Sequence, residues 1–333
     1  MRRNGNCAAL DAFFDRAINA STSDADVLTR LEACLGARHA GARLAKETRV
    51  EAAKARGGLR AKLAPPHVLD TVVPWALRLS GMLARGGVNA CRIEVRRNPI
   101  ALQGLPDAFD GFNILHLTDL HADISVGAMR ALPVVIEGLD YDICVITGDF
   151  RGKTFGPHRR ATELIGDVLR DIGKPVYGVL GNHDPATMLL DLEAMGVRML
   201  MNEAEPLARD QDRLWIVGID DPHFFRANDL RAAMAAVPDG ETAVLLSHSA
   251  DGYQDAERAG VGAFLCGHTH GGQICLPCGI PIVTSGRTPR RLASGPWRHG
   301  NMIGYTSRGV GTSAVAARFN CLPEVTLHTL RGR

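Results

Sequence analysis

Two histidines, His268 and His270, lie two residues apart in GHTHGG (267–272), directly after the apolar run AFLC. Imidazole nitrogens bind first-row transition metals, so the pair predicts a metal site if further ligands lie nearby in the fold. The alternative is a tight glycine-rich loop with two incidental histidines. The rest of the sequence distinguishes the two interpretations, because a metal site needs additional ligands.

Polar residues follow four other apolar runs in the same way. They are Asp119 and His121 after FNILHLT, Asp149 after DICVIT, Asn182, His183 and Asp184 after PVYGVL, and His248 after TAVLLS. In open α/β sheets, ligands bind beyond the carboxyl ends of the strands. A single Asp after a strand is ordinarily a turn residue or a helix cap. Five strands that each deliver Asp, Asn or His to one edge favour a metal site over coincidence.

The ligand types indicate which metals would bind and what they would do. Imidazole, carboxylate and amide groups suit Mn, Fe, Zn, Co or Ni better than Ca or Mg. No cysteine belongs to the set, which argues against a structural thiolate zinc, and the ligands are too many for one tetrahedral ion. They suit two ions that share a carboxylate. Such ion pairs, about 3.5–4 Å apart, clamp phosphoryl oxygens and lower the pKa of a bound water until hydroxide is available near neutrality.

The apolar runs before these residues are short and nearly continuous, which predicts strands buried on both faces. Such runs occupy 112–118, 142–147, 175–180, 213–219, 242–247 and 262–267, and an alternating, edge-type run occupies 91–97. Helical patterns separate them at about 126–138, 158–171, 186–195, 228–236 and 251–259. The alternation predicts an α/β fold whose sheets are covered by helices. Residues 280–330 return to short strands such as MIGYTS and EVTLHTL.

The first 87 residues show helical patterns in place of the short apolar runs that follow. They predict a helical N-terminal extension before a main domain at 88–333. Residues 1–64 predict two or three helices, with a break at 21–26. The basic segment 42–63 predicts a solvated helix, with a face for anionic lipid or substrate as the alternative. Residues 68–87 predict a packed or interfacial helix that ends at Gly86-Gly87.

The overall composition is that of an ordinary soluble protein, with 333 residues of which 46% are hydrophobic. A net charge of +2 does not suggest a dedicated nucleic-acid binder. No apolar run reaches the roughly 18 residues of a membrane span, and the start lacks a secretory signal. We therefore predict a cytoplasmic protein. Residues 1–62 carry a net +5, so the N-terminal region is a candidate for peripheral contact with a membrane surface.

The eight cysteines are scattered along the chain, which favours reduced thiols. Cys275 and Cys278 have the Cys-x-x-Cys spacing of a redox pair or half a zinc site. Because no second such pair is present, the favoured interpretation is a loop with two thiols.

The motifs, in this order, resemble the calcineurin-like metallophosphoesterase superfamily. Its pattern of D-x-H, G-D, G-N-H-D/E, H and G-H-x-H occurs here as DLH, GD, GNHD, SH and GHTH across 119–270. The flanks IEVRRNPIALQGLP, GHTHGGQICLP and SRGVGTSAVAARFNCLPEVTLHTL resemble the bacterial YkuE/YaeI-type branch and extend the likeness to roughly 90–330. The resemblance implies a four-layer αββα sandwich with two mixed β-sheets for the domain at 88–333.

The resemblance also implies two divalent metal ions, with Mn favoured over Fe, Zn, Co or Ni, and a role for each residue of the motifs. Asp119, His121 and His270 would hold the first metal, Asn182, His248 and His268 the second, and Asp149 would bridge them. His183 would contact the phosphate and protonate the leaving oxygen, Asp184 would orient it, and Asn182 would also contact substrate. A histidine suits that acid role because its pKa lies near neutrality.

The chain departs from the family pattern at Gly152, three residues after Asp149, where many relatives carry a polar side chain. The neighbouring Arg151 is a candidate phosphate contact, with a solvated arginine as the favoured alternative. In the basic loop 287–299, Arg287, Arg290, Arg291 and Trp297 could grip an anionic or lipid-bearing substrate, or the loop could simply be solvated.

Several polar residues near the motifs have ordinary structural interpretations. His116 lies within an apolar run, so we expect it to be a hydrogen-bonded histidine of the core. We expect Asp123 to be a turn residue or a helix cap. Two acidic residues, Asp220 and Asp221, follow the run at 213–219. The favoured interpretation is that they cap a turn, and the alternative is that they orient a metal-binding histidine.

The combined prediction is a dinuclear metal-dependent phosphoesterase that cleaves a phosphodiester or pyrophosphate bond. The branch resemblance points to a lipid-linked substrate such as a UDP-diacylglucosamine. The alternatives are a phosphomonoesterase or protein phosphatase, and a non-catalytic scaffold that retains the fold. A scaffold should have lost ligands or His183, whereas this sequence keeps them all.

Overall fold

The computed structural model describes residues 24–56, 65–284 and 288–333, and at residues 24, 54–56 and 65–71 it describes the backbone alone. The helices are α1 (Asp24–Leu35), α2 (Ala37–Arg56), α3 (Pro65–Leu79), α4 (Leu83–Ala90), α5 (Val126–Ile136), α6 (Arg159–Asp171), α7 (Met188–Ala194), α8 (Leu230–Met234) and α9 (Tyr253–Arg258). None of these described helices has the length and apolar character needed to cross a bilayer.

The first of two six-stranded sheets has the order β1-β12-β2-β3-β4-β5. Its strands are β1 (Glu94–Leu102), β2 (Asn113–Leu117), β3 (Ile143–Thr147), β4 (Val176–Val179), β5 (Val197–Met199) and β12 (Glu324–Gly332). Strands β2 to β5 are parallel, β12 runs parallel to β1, and β12 runs antiparallel to β2. The sheet is therefore mixed, and the carboxyl ends of β2, β3 and β4 meet at one edge.

The second sheet has the order β10-β11-β9-β8-β7-β6. Its strands are β6 (Glu203–Arg209), β7 (Asp212–Gly218), β8 (Ala243–Leu246), β9 (Ala263–Cys266), β10 (Gly295–His299) and β11 (Met302–Thr306). Strands β7, β8, β9 and β11 are parallel, whereas β6 and β10 pair antiparallel at the two edges.

Three apolar layers hold the sheets and helices together. Helices α5, α6 and α7 pack on the outer face of the first sheet, where Leu115 is buried. The inner faces of the two sheets pack on each other through residues such as Ile114 and Val244. Helices α8 and α9 cover the outer face of the second sheet, where Leu245 is buried. Adjacent residues of one strand enter different layers, as the period of two requires. This helix–sheet–sheet–helix order confirms the predicted four-layer sandwich.

The N-terminal helices pack against this sandwich. Leu31 of α1 and Ala40 of α2 are buried in the same layer as α5 to α7. Helix α4 contains Gly86-Gly87, where the sequence predicted a helix end, and continues to Ala90. The helix needs a glycine here, because a Cβ on Gly86 would lie only 2.7 Å from the Phe319 ring. The predicted domain boundary at residue 88 falls within α4.

Candidate metal centre

The loops that follow β2, β3 and β4 of the first sheet meet the loops that follow β8 and β9 of the second. Backbone hydrogen bonds join neighbouring loops within each sheet, Asp119 N to Gly148 O at 3.0 Å in the first and Gly267 N to His248 O at 2.9 Å in the second. His268 N also donates across the sheets to Asp119 Oδ2 at 2.9 Å. All seven predicted metal ligands therefore lie in one place, although their motifs are spread over 152 residues of sequence.

Two groups of three side chains could each hold a metal ion. Asp119, His121 and His270 form the first group, and Asp149, His248 and His268 form the second. In the first, His121 Nε2 lies 3.0 Å from His270 Nε2, which is 3.4 Å from Asp119 Oδ1. In the second, His248 Nε2 lies 3.1 Å from His268 Nδ1.

Asn182 completes the second group, because its Oδ1 lies 2.9 Å from His248 Nε2. Asp149 lies between the groups. Its Oδ2 is 3.6 Å from His121 Nε2 and 3.3 Å from His248 Nε2, while its Oδ1 accepts a hydrogen bond from His183 N at 2.9 Å. One oxygen of this carboxylate is thus fixed by the backbone, and the other faces both groups.

The donor atoms fit metal ions. Within the described part of the chain, the buried Asp119 Oδ1 has no hydrogen-bond partner, which is costly unless another ligand satisfies it. His121 Nδ1 lies 3.1 Å from Arg151 O, and His248 Nδ1 lies 2.9 Å from Thr147 O. Each Nδ1 donates a hydrogen bond to its carbonyl, so Nε2 is the ring nitrogen that faces the other candidate ligands and would bind a metal ion once it carries no proton.

The electrostatics of the centre also favour cations. Burial lowers the pKa of His121 to about 3 and that of His270 well below its usual range, which keeps both imidazoles neutral. Burial likewise raises the pKa of Asp119 to about 6. Burial opposes a charge on His248, but the carboxylates of Asp149 and Asp119 raise its pKa to about 10. The two carboxylates that stabilise a positive charge on His248 would equally stabilise a metal cation that takes the place of its proton.

The backbone is strained at the same residues. Asp119, His121, Asp149, His268 and His270 have φ between +41° and +73°. Non-glycine residues rarely adopt this left-handed conformation, and each instance costs of order 1–3 kcal/mol. Such strain clusters where a precise side-chain arrangement is needed for function. A glycine is needed at position 267 for a different reason. A Cβ there would collide with Asp119 Oδ2 and Thr118 Oγ1.

His183 lies beside the centre and belongs to neither group. Its Nδ1 lies 2.7 Å from Gly152 O and 3.1 Å from Thr154 Oγ1. Its Nε2 lies 4.0 Å from Asp149 Oδ2. With Nδ1 donating to the Gly152 carbonyl, Nε2 is the ring nitrogen turned toward the two groups.

Asp184 was predicted to orient the ring of His183, but its buried carboxylate lies beneath the loop. It accepts hydrogen bonds from Gly181 N at 2.9 Å and from Phe150 N and Arg151 N at 3.2 Å. Because its hydrogen bonds go to these three backbone amides, Asp184 acts on His183 through the loop backbone.

Arg151 is buried, so the prediction of a solvated arginine is wrong. Its guanidinium donates to His183 O, Gly156 O and Thr154 O, each at 2.6 Å. Its backbone carbonyl also faces His121. Because these three donors bind carbonyls of the loops that follow β3 and β4, the side chain fastens those loops beside the centre.

Other sequence interpretations have mixed outcomes. His116 is a buried histidine bonded to Thr147 and His328, as predicted, and Asp123 is a turn residue that accepts from Gly152 N. Asp221 makes the predicted turn through three backbone amides, whereas the Asp220 carboxylate is buried against His39 and Arg43.

In the basic loop, Trp297 is buried and donates to Thr306 Oγ1, so it cannot grip a substrate. Arg290 and Arg291 are exposed, and Arg287 lies outside the described residues. Cys275 is buried, Cys278 is exposed, and both are free, as expected for a loop with two thiols.

Three residues near the centre were not predicted. Arg318 is fully buried and donates to Gly311 O at 2.6 Å and His270 O at 3.3 Å. The His223 ring packs against the His268 ring at a tilt of 45°, with centroids 4.4 Å apart. His223 follows β7 at the same sheet edge as the candidate ligands, and this position could have identified it. Arg43 of α2 reaches the loop of Asp184. No local pattern distinguishes Arg43 or Arg318 from surface arginines.

Comparison with known proteins gives a consistent result. The calcineurin-like phosphoesterase family matches residues 112–272. The metallophosphoesterase YkuE of Bacillus subtilis (strain 168) is 28% identical over 272 residues, which cover 77% of this chain and 94% of YkuE. The metallophosphoesterase YkoQ of the same organism is 31% identical over 253 residues, 71% of this chain and 91% of YkoQ. The phosphodiesterase YaeI of Escherichia coli (strain K12) is 29% identical over 228 residues, 65% of this chain and 81% of YaeI.

Proposed function

Because the chain belongs to the calcineurin-like phosphoesterase family, whose members hydrolyse phosphate esters with divalent metals, we propose that it cleaves a phosphodiester or pyrophosphate bond at a centre of two metal ions. One observation carries the proposal. Asp149 Oδ2 lies between the two groups of candidate ligands, 3.6 Å from His121 Nε2 and 3.3 Å from His248 Nε2. A carboxylate in this position can join two cations.

The proposed ligands follow from the two groups. Asp119, His121 and His270 hold the first ion, Asn182, His248 and His268 hold the second, and Asp149 is shared. The mixed imidazole, carboxylate and amide set suits first-row metals of intermediate hardness, of which we propose manganese, with iron, zinc, cobalt and nickel as the alternatives. When bound, two such ions neutralise the charge of a phosphate and lower the pKa of a water molecule.

The proposed acid is His183. Its Nδ1 faces the Gly152 carbonyl, so a proton on Nε2 points toward the centre, where the leaving oxygen of a phosphate ester would lie. Protonation of that oxygen removes the cost of expelling an alkoxide. Arg151 and Asp184 keep the ring in place through the loop backbone.

The relative YaeI is named a phosphodiesterase, which supports a diester or pyrophosphate over a monoester. We expect the Mn²⁺-loaded protein to hydrolyse bis-(p-nitrophenyl) phosphate faster than p-nitrophenyl phosphate, as measured by kcat/KM. Faster hydrolysis of the monoester would favour the phosphomonoesterase or protein phosphatase alternative. If neither ester nor a nucleotide pyrophosphate is hydrolysed, the scaffold alternative would replace the enzyme proposal.

An apolar groove of about 190 Å³ opens beside the centre and supports a lipid-linked substrate. The apolar side chains of its lining are Val73, Pro74, Ile274, Ile282, Val283, Ala314 and Val315, and Thr269, His270, Gln273 and Ser313 are the polar ones. Exposed apolar side chains continue the surface on α3 and on the loop at 276–283, namely Val72, Trp75, Leu79, Leu276 and Ile280. Exposed apolar patches of this kind mark binding surfaces.

The groove shares His270 with the centre, so we propose that its occupant is the acyl chain of the substrate whose phosphate lies at the metals. A UDP-diacylglucosamine has the required parts, namely a pyrophosphate and acyl chains. The exposed apolar face of α3 would then rest on the membrane surface that supplies such a substrate. We accordingly propose a cytoplasmic enzyme bound peripherally to the membrane.

The variant Val283→Asp tests the groove. It should raise KM for a UDP-diacylglucosamine by about ten- to a hundredfold, because each methylene kept from water contributes about 0.8 kcal/mol, and leave kcat/KM for bis-(p-nitrophenyl) phosphate within about twofold. Val134→Asp is the matched control, since Val134 lies on α5 and is 73% exposed. Equal effects of Val283→Asp on both substrates, or no hydrolysis of the lipid by wild type, would contradict the groove assignment.

A further inference from the structure

Helix α2 buries an arginine against the loop that carries His183. The Arg43 side chain is fully buried, and its guanidinium carbon lies 3.6 Å from the centroid of the Phe225 ring. Its Nη2 donates to Asp184 O at 2.8 Å. Its Nε lies 3.2 Å from Glu47 Oε1 and 3.7 Å from Asp220 Oδ2. A cation on the N-terminal extension thus reaches the residue that directly follows His183.

Glu47 makes a second contact one turn further along α2. Its Oε1 accepts a hydrogen bond from Ala186 N at 2.8 Å and also pairs with Arg43. Residues four apart lie on the same helix face. The helix therefore holds the loop by the carbonyl of residue 184 and the amide of residue 186, and its own ion pair fixes the spacing between these two contacts.

Packing alone does not account for this arrangement. In the described part of the chain, Arg43 Nε and Nη1 are buried without hydrogen-bond partners. A buried and incompletely satisfied ion pair commonly contributes less to stability than apolar residues of the same volume. The contacts instead fix the position of the loop backbone, which is the feature that an apolar substitute could not reproduce.

We infer that Arg43 and Glu47 of α2 are positioning residues for His183, which they hold through the loop backbone. The inference rests on the proposed function, in which His183 is the general acid. It assigns a task to the N-terminal extension, which lies outside the matched family region at 112–272.

A continuous chain of contacts carries the effect from α2 to the acid. Arg43 holds the Asp184 carbonyl, and the Asp184 carboxylate holds the amides of Gly181 and Arg151. Arg151 in turn holds the His183 carbonyl. Removal of the Arg43 guanidinium breaks the first of these contacts, so the distance between the His183 imidazole and the centre is no longer fixed. A displacement of about 1 Å at a reacting group can cost about a hundredfold in rate.

The test compares two diesters that differ only in leaving group, methyl phenyl phosphate and methyl p-nitrophenyl phosphate. The p-nitrophenolate leaves as a stable anion and needs little protonation, whereas phenolate needs the acid. Arg43→Met keeps much of the apolar stem and removes the guanidinium. We expect it to lower kcat for methyl phenyl phosphate by about ten- to a hundredfold, and kcat for the nitrophenyl ester by less than about threefold, with metal content unchanged.

Two further variants keep the test decisive. Arg49→Met is the matched control, because Arg49 lies on the same helix and is exposed, and it should change neither rate. Glu47→Leu removes the acceptor of Ala186 N, so it should show the same selective loss, and it carries the test if Arg43→Met does not fold.

The inference would be overturned if Arg43→Met or Glu47→Leu lowered kcat equally for the two diesters. It would also be overturned if neither variant lowered kcat for methyl phenyl phosphate. The proposed function is judged separately by His183→Ala. If His183→Ala lowers both rates equally, the acid assignment itself fails. If His183→Ala is selective and the α2 variants are not, only the role of α2 fails.

Discussion

His183→Ala should retain its metal ions and lose turnover of methyl phenyl phosphate by roughly a hundred- to ten-thousandfold, the range typical of a lost general acid. His183 belongs to neither ligand group, and its ring bonds Gly152 O and Thr154 Oγ1. Removal of the imidazole therefore leaves every proposed ligand in place. Turnover of methyl p-nitrophenyl phosphate should fall much less, because its leaving group needs little protonation.

The measurement is steady-state kinetics on both diesters together with metal analysis of the same preparation. His299→Ala is a suitable control, since His299 lies on the edge strand β10 and outside both ligand groups. If His183→Ala emptied the centre of metal, His183 would be a ligand, and the proposed division of roles would be wrong.

Asp149→Asn should lower metal content and activity together. The proposed bridge is Asp149 Oδ2, which faces both groups, while Oδ1 is engaged by His183 N. An amide at this position removes the negative charge that two cations would share. We expect loss of at least one metal equivalent and a fall in kcat of at least about a thousandfold, because several kcal/mol of transition-state stabilisation depends on the metals.

Asp167→Asn provides the control for this second prediction. Asp167 is an exposed residue of α6 that pairs with Arg170 on the surface, so the substitution should leave metal content and rate unchanged. An Asp149→Asn protein that keeps both metal equivalents would show that the carboxylate charge is not required for binding, contrary to the proposed bridge.

The parts of the fold that could be predicted from sequence are those with a local signal. Strands such as β3 are buried along their whole length, and their apolar runs end at the residues that line the centre. Edge strands carry a weaker signal. β6 contains Pro206 and two glutamates, pairs with β7 alone, and was not predicted. An edge strand exposes one side to solvent and tolerates proline, so its sequence need not alternate.

The residues that support the centre were harder to predict than the candidate ligands. Arg43 and Arg318 are fully buried, yet each occurs in a stretch rich in small residues that resembles a solvated segment. The partners of both include a backbone carbonyl that only the fold brings near, Asp184 O for Arg43 and His270 O for Arg318. Arg151 illustrates the same limit, because only the folded loop supplies the three carbonyls that its guanidinium binds.

The central claim is that two metal ions joined by Asp149 perform the hydrolysis. The most direct measurement titrates metal-stripped wild-type protein with Mn²⁺ and follows bound metal and bis-(p-nitrophenyl) phosphate turnover in the same samples. We predict that turnover reaches its plateau when two equivalents are bound per chain. Full turnover in the stripped protein, or a plateau at one equivalent, would contradict the proposed dinuclear centre.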